Sequence, residues 1–156
     1  MTPLLLNIAL LLLSFALMEG VAWLAHKYLM HGFLWPVHQD HHTLTNPGFF
    51  QRNDLFFVLF ATPAIALIYL GFTYPAWAPC LWIGSGIALY GLAYLTVHDL
   101  LIHQRFPLFK RVRHPYLLAL RRAHRMHHKH LGKEDGECFG MLWVRPRLVA
   151  QFAAKG

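Results

Sequence analysis

Three long apolar runs dominate the pattern of hydrophobic and polar positions along the chain. The first, residues 4–25, contains three polar side chains, of which only Glu19 is ionisable, and residues 55–72 and 80–97 carry no charge. Each run is close to the roughly 17–25 residues that an α-helix needs to cross the hydrocarbon of a bilayer. The pattern therefore predicts three membrane-spanning helices, over about residues 4–25, 55–72 and 80–101.

The polar segments between and after these runs predict where the helices end. We expect the first helix to continue to Gly32, the third to end before Pro107, and a further helix, residues 115–131, to begin at Pro115. Asn53 and Asp54 stand just before the second apolar run, as N-caps do. The helix at 115–131 either lies on the membrane or packs on the bundle. The predicted fold class is an all-α integral membrane protein with about three to four transmembrane helices.

Composition and charge add a direction to this topology. The chain is 56% hydrophobic and 13% charged, against about 25% charged in a typical soluble domain. All 14 Lys and Arg lie in 26–54 or 104–156, and the connector at 73–79 has none. By the positive-inside rule both basic segments are expected to be cytoplasmic. We expect the chain to form a single membrane-embedded domain covering 1–156. Because the basic cluster follows a membrane helix, attraction to anionic lipids explains it better than nucleic acid does.

Histidine is the residue type that carries the chemistry. Ten of the twelve histidines fall into two H-x4-H pairs and two H-x2-H-H triplets, and the predicted topology brings all of them to the cytoplasmic end. They are His26 and His31; His38, His41 and His42; His98 and His103; and His124, His127 and His128. Burying so many polar rings is costly unless each is hydrogen-bonded or bound to metal.

The two spacings differ in what an α-helix does with them. In H-x2-H-H the first ring lies within about 60° of the other two, while the adjacent pair diverges by about 100°, so that neighbours can serve different metal ions. In H-x4-H the rings are about 140° and about 7.5 Å apart. Such a pair must either span a wide cluster or use an irregular turn, such as the π-bulges that occur at functional sites.

The ligand chemistry favours two metal ions. Imidazole suits zinc, iron, copper and nickel, no cysteine or carboxylate recurs in the motifs, and ten ligands exceed the four of one tetrahedral ion. Asp40 and Asp99 adjoin histidines and are candidates for orienting a ring N–H. Glu19, ionisable within a span, is a third functional candidate, for substrate polarity, a proton relay or a hydrogen bond to another helix. We expect Glu19→Gln to lower turnover with normal metal content.

At this point the chain resembles a known family. From about Glu19 to Phe139 the chain contains "HKYLMHGFLWPVHQDHH", "NDLF", "VHDLLIHQRFP" and "AHRMHH", and then "GKE" and the "FG" that begins at Phe139. These phrases resemble the bacterial non-haem di-iron β-carotene 3-hydroxylases of the fatty acid hydroxylase and sterol desaturase superfamily. The segment "TLTNPGFFQRND" departs from the family, which bears on substrate preference and partner contacts.

The resemblance implies a bacterial inner-membrane monooxygenase with its active site on the cytoplasmic side. The ten histidines would hold two iron ions, for which zinc can substitute in purified protein. With O2 and electrons from a ferredoxin-type donor, the enzyme would hydroxylate carbon 3 of the β-ionone ring of β-carotene to give β-cryptoxanthin and zeaxanthin. The basic cytoplasmic surface would dock that donor or attract anionic lipids.

The carotenoid would enter laterally from the lipid through a tunnel lined by aromatic residues. The candidates are Phe15, Trp23, Phe57, Tyr90 and Tyr94. The alternative is that these residues pack within the helix bundle or face the lipid. Two alternatives remain open at this stage. One is a di-metal hydroxylase or desaturase of an acyl chain, a sterol or a ketocarotenoid. The other is a non-catalytic membrane metal-binding protein. Against this alternative, the predicted spans contain no polar path along which a metal ion could cross the membrane.

Overall fold

The computed structural model describes residues 3–43, 48–134 and 138–154, and every regular element within them is helical. Helix α1 (Pro3–Leu24) continues into a first π-helical segment (Ala25–Phe33), which is followed by α2 (Trp35–Thr43) and α3 (Asp54–Thr73). A 3₁₀ turn (Pro75–Trp77) leads to α4 (Ala78–Tyr94), a second π-helical segment (Leu95–Ile102), α5 (Pro115–His127) and α6 (Pro146–Ala153). The all-α fold class is thereby confirmed.

Three helical stretches are long and apolar enough to cross a membrane: Pro3–Phe33, Arg52–Thr73 and Pro75–Ile102. The first is 31 residues long, which at about 1.5 Å per residue exceeds the roughly 30 Å of the hydrocarbon core. The predicted ranges lie inside these stretches. The extra length comes from the π-helical segments, which extend the first and third stretches beyond the apolar runs and carry histidines.

Glycines allow the long helices to approach closely. A methyl group at Gly71 would collide with the backbone nitrogen of Leu81, and one at Gly84 would lie 2.8 Å from the carbonyl oxygen of Ala64. Both contacts join α3 to the antiparallel α4. Small residues at such crossings are the usual means by which membrane helices pack, because lipid gives no hydrophobic drive for association.

Two buried clusters hold the remaining elements on this bundle. Met18, Tyr90 and Met141 join α1, α4 and the segment after α5. The other cluster is centred on Leu120 and Val144, packs α5 against the region of α6, and contacts Val97 in the second π-helical segment. Helix α5 therefore lies against the bundle at its histidine-bearing end.

One predicted helix end was wrong, and other details can be compared with the prediction. Helix α5 ends at His127, not at residue 131, because tight turns follow: the backbone N–H of Lys129 donates to Met126 and that of His130 to His127. The third stretch ends at Ile102, before Pro107 as predicted, and Gln104 just beyond it has a φ of 52°. Asn53 stands at the predicted N-cap position of α3 but makes no side-chain capping hydrogen bond. Helix α6 was not predicted, although Pro146 in its first turn is a start signal.

Candidate metal centre

The π-helical backbone explains the H-x4-H spacing. The backbone N–H of His103 donates to the carbonyl of His98 at 2.9 Å, the i to i−5 bond of a π-helix. The rings of this pair have centroids 4.5 Å apart, and those of His26 and His31 are 5.1 Å apart. Of the two arrangements that the spacing allows, the irregular turn is the one found.

Nine of the ten histidines gather into two groups, and within each group the ligand nitrogens lie within 4.8 Å of one another. The first histidine group is His26, His31, His38, His42 and His127; the second is His41, His98, His103 and His124. The adjacent residues His41 and His42 enter different groups, as their divergence around α2 predicts.

His128 lies between the two groups. Its ring stacks on that of His42 with centroids 4.4 Å apart, and is 4.7 Å from the ring of His41. Its Nε2 is 2.9 Å from Nε2 of His124. The two histidines outside the motifs, His114 and His130, are exposed.

Hydrogen bonds at Nδ1 fix the protonation of several rings in the first histidine group. His26 Nδ1 lies 2.9 Å from the carbonyl oxygen of Phe139, and His31 Nδ1 lies 2.9 Å from that of Leu131. His38 Nδ1 lies 2.6 Å from Oδ1 of Asn53. Because these oxygens only accept hydrogen bonds, Nδ1 carries the proton and Nε2 of a neutral ring carries a lone pair.

Those lone pairs face one another. His26 Nε2 is 3.0 Å from His38 Nε2. In the second group His98 Nε2 is 3.1 Å from His41 Nε2, with His98 Nδ1 donating to Asp99 and His41 Nδ1 to Gln51. With no proton left to share, each pair is repulsive unless a cation lies beside it. The donor set therefore fits a metal ion in each group, since imidazole nitrogens are good ligands for iron and zinc.

The electrostatic environment keeps these rings neutral, as metal ligation requires. Burial lowers the pKa of His38 to about 4, and burial, with the nearby His128 ring also contributing, lowers the pKa of His42 to about 2. Burial, and then His128, lowers the pKa of His103 to about 3. The pKa of His41 and that of His124 are also well below the usual value because both rings are buried among other imidazoles.

The three carboxylates singled out from the sequence occupy different environments. Asp99 accepts from His98 Nδ1 at 2.9 Å. Asp40 is buried and accepts from the backbone N–H of Arg52 at 2.7 Å, and its Oδ1 has no hydrogen-bond partner among the described residues. Glu19 bonds to Tyr90 and to backbone N–H groups beyond α5 rather than to a histidine ring. Asp99 alone of the three thus orients a ring N–H.

Sequence reasoning missed several groups around the histidines. Asn53 accepts from His38 and Gln51 accepts from His41. Asn53 was predicted only as a helix cap, and Gln51 was noted only as part of the segment "TLTNPGFFQRND". Arg105 pairs with Asp54 at 2.7 Å and lies 3.5 Å from Asp99, which ties the second group to the start of α3. The carbonyls of Phe139 and Leu131 have no signature in sequence at all.

An apolar cavity of about 290 Å³ extends from the histidines into the bundle between α1, α3 and α4. It reaches His26 of the first group and His98 of the second, and Ile65 and Leu92, exposed on the surfaces of α3 and α4, also line it. The cavity therefore opens sideways between these helices.

The aromatic candidates divide around this cavity. Phe57, Tyr90 and Tyr94 line it. Phe15 packs edge-on against Tyr90 with ring centroids 5.7 Å apart, and Trp23 is 39% exposed and does not contribute to the lining. Three of the five therefore form the cavity wall.

Helices able to span a membrane, with histidines gathered at the end of two of them, define a helical membrane protein with a candidate metal centre. Residues 11–145 match the family described as fatty acid hydroxylase, and the chain belongs to this family. It is accordingly a hydroxylating enzyme of a metal-dependent family.

Several relatives extend over most of the chain. It is 47% identical over 141 residues to the "Beta-carotene hydroxylase" of Pseudescherichia vulneris, covering 90% of this chain and 78% of that protein. With the "Beta-carotene hydroxylase" of Pantoea ananas it shares 50% over 129 residues, covering 83% and 72%. The "Beta-carotene 3-hydroxylase 2, chloroplastic" of Arabidopsis thaliana is 39% identical over 140 residues, 88% of this chain and 45% of that protein. No solved structure matches.

Proposed function

We propose that this chain, as a single membrane-embedded domain covering 1–156, hydroxylates carbon 3 of the β-ionone ring of β-carotene to β-cryptoxanthin and zeaxanthin. The ten motif histidines hold two iron ions, and O2 is the co-substrate. The observation that carries the proposal is the apolar cavity that ends on both histidine groups. The named activity of the bacterial relatives supports the choice of substrate.

The shape of the cavity suits one end of a long apolar molecule. Its volume of about 290 Å³ accommodates a cyclic end group but not a whole carotenoid, so the polyene remains in the lipid and passes between α3 and α4. An acyl chain would also enter such an opening, but a bulky ring matches a cavity walled by Phe57, Tyr90 and Tyr94 better than a slender chain does.

The reaction needs an oxidant stronger than any side chain, and iron with O2 supplies that chemistry when bound. The protein's residues bind and orient. Apolar walls exclude water from the ring, and His26 and His98 bring the two histidine groups to the end of the cavity. Asp99 holds the proton of His98 at Nδ1, which leaves Nε2 of that ring free for a metal.

The partners follow from the surface charge. Arg122 and Arg125 are exposed on α5, beside the histidines, and we assign them to docking a ferredoxin-type donor and to anionic lipids. Arg121 does different work, because its guanidinium donates to the carbonyls of Leu101 and Phe109. From the positive-inside rule we infer that this surface is cytoplasmic, and we assign the protein to a bacterial inner membrane.

Expression in bacteria that accumulate β-carotene, followed by pigment analysis, tests the reaction. We expect hydroxylated carotenoids from the wild type and none from His38→Ala or His124→Ala. Wild-type protein that binds iron but leaves the pigment unchanged would favour another lipid substrate, and protein without bound metal would contradict the proposal. Purified protein given reduced ferredoxin tests the donor, and its iron and zinc contents test the metal.

Gly91 offers a sharper test of the cavity. It lines the cavity wall, and a Cβ atom added there would meet no atom within 4 Å. We expect Gly91→Leu to fill the cavity and lower hydroxylation at least about tenfold, the scale of a misfit of a few methylene groups in an apolar pocket, with unchanged iron content. Gly20→Leu is the control, since Gly20 is exposed on α1 and also has open space. Full conversion by Gly91→Leu would place the substrate elsewhere.

A further inference from the structure

Glu19 lies on α1 and yet bonds to residues far along the chain. Its carboxylate accepts from the backbone N–H groups of Met141 at 3.0 Å, Leu142 at 3.0 Å and Trp143 at 2.8 Å. Tyr90 on α4 donates its O–H to the same carboxylate at 2.6 Å. Four donors therefore converge on one anionic group, an arrangement of short, charge-assisted bonds.

We propose that Glu19 is a positioning residue of the metal centre: its carboxylate holds a strap, residues 139–143, in the place where the strap orients and covers the first histidine group. This inference rests on the metal centre proposed above. It assigns to Glu19 one defined role, a link from a membrane-spanning helix to a segment more than a hundred residues later in sequence.

The strap contacts the first histidine group at its beginning. The carbonyl of Phe139 accepts from His26 Nδ1 at 2.9 Å, which fixes Nε2 of that ring as the free nitrogen. The Phe139 ring lies over three histidines, with centroids 5.6 Å from His26, 5.4 Å from His31 and 5.1 Å from His127. Phe139 and Met141 also line the apolar cavity. A displaced strap would disturb both the ligands and the cavity wall.

Gly140 gives independent support for a close fit between Glu19 and the strap. A methyl group at this position would collide with Oε1 of Glu19. Its φ is not positive, so the glycine is needed here for the approach of the carboxylate rather than for a left-handed backbone. On the other side of the strap, Tyr116 of α5 donates its O–H to the carbonyl of Leu142.

These contacts change the expectation for Glu19→Gln. An amide of the same size keeps one acceptor oxygen but turns an N–H₂ group toward backbone donors, so several of the bonds are lost. We expect the amides of Met141, Leu142 and Trp143 to exchange with solvent at least about tenfold faster. We also expect the metal affinity of the first histidine group to fall by about 10- to 100-fold, the usual effect of losing a group that orients a ligand.

The experiment uses the purified enzyme with its metal, in detergent, and measures hydrogen exchange of the strap together with metal content during dialysis against a chelator. Gly140→Ala should reproduce the effects of Glu19→Gln with the carboxylate intact, and Tyr90→Phe should give a smaller one. Ser14→Ala is the control, because among the described residues the Ser14 hydroxyl bonds only to carbonyls of its own helix, those of Leu10 and Leu11.

Faster exchange confined to the strap, with loss of about one of two metal ions per chain, supports the positioning role. Exchange that rises equally in α3 would show general loss of folding and would overturn it. Wild-type exchange and wild-type metal retention in both Glu19→Gln and Gly140→Ala would overturn it too. The metal content of the wild type tests the proposed centre separately, because the role of Glu19 is judged only from the ratio of variant to wild type.

Discussion

At the scale of single residues, the atoms that accept from histidine Nδ1 make the two groups chemically different. In the first group the acceptors are neutral: the carbonyls of Phe139 and Leu131 and the amide of Asn53. In the second, Asp99 accepts from His98, and Arg105 lies beside that carboxylate. A carboxylate partner raises the basicity of a ligating imidazole more than a neutral one does, so we expect a metal to be held more firmly at His98 than at His38.

Replacing Asn53 tests whether such acceptors matter. Asn53→Leu removes the oxygen that lies 2.6 Å from His38 Nδ1 and leaves a buried ring N–H without a partner. We expect iron affinity and hydroxylation to fall by about 10- to 100-fold. Asn53→Asp keeps an acceptor at the same place and should retain most of both. Chelator titration of the purified variants measures the affinity, and equal affinity in the Leu variant and the wild type would be evidence against the orienting role.

The histidines could be predicted as a set from their spacing, but their partners could not. Asp40 and Asp99 both adjoin a motif histidine, yet of the two only Asp99 is hydrogen-bonded to a ring, while Asp40 accepts from the backbone N–H of Arg52. Asn53 was predicted as a helix cap since its side chain suits that position. In the structure the Asn53 side chain instead accepts from His38, which lies on α2. Such a contact depends on how two helices pack rather than on local sequence.

At the scale of helices, the π-helical segments are the least regular feature that the sequence indicated: the H-x4-H spacing predicted either a wide cluster or an irregular turn. The five-residue separation of His98 and His103 is awkward in an α-helix, and the structure has a π-type hydrogen bond between those same residues. Helix α6 escaped prediction because a helix of 8 residues is stabilised by tertiary packing more than by its own sequence. Its packing partner, α5, is recognisable only once both helices are in place.

Helix packing gives a second prediction at this scale. Gly71→Ala introduces a methyl that collides with the backbone of Leu81 where α3 crosses α4. We expect a loss of about 1–3 kcal/mol of stability, the usual result of overpacking, although alanine favours a helix more than glycine does. Gly20→Ala has open space around it and should be neutral or slightly stabilising. Denaturant unfolding of both variants in detergent measures the difference, and equal stability would mean that α3 and α4 do not pack this closely.

At the scale of the whole molecule, the fold gathers residues that are far apart in sequence at one end of the bundle. His26 and His98 stand at the ends of stretches that run in the same direction, and α3 returns the chain between them. If the three apolar stretches all cross the bilayer, their odd number would place the amino terminus and the histidines on opposite sides. The segments that contain the basic residues also contain the histidines or follow them. The charge distribution and the positions of the histidines therefore lead to the same statement about topology.

Cysteine labelling tests that statement directly. In a chain with Cys80 and Cys138 replaced by serine, Ala76→Cys lies in the exposed connector before α4 and Lys133→Cys in the exposed segment after α5. We expect a membrane-impermeant maleimide to label Ala76→Cys in intact spheroplasts and Lys133→Cys only after permeabilisation, because the positive-inside rule predicts that the basic end is cytoplasmic. Pigment analysis of both variants verifies that they remain folded. Labelling of Lys133→Cys from outside would put the histidines on the external face, where cytoplasmic ferredoxin could not reduce them.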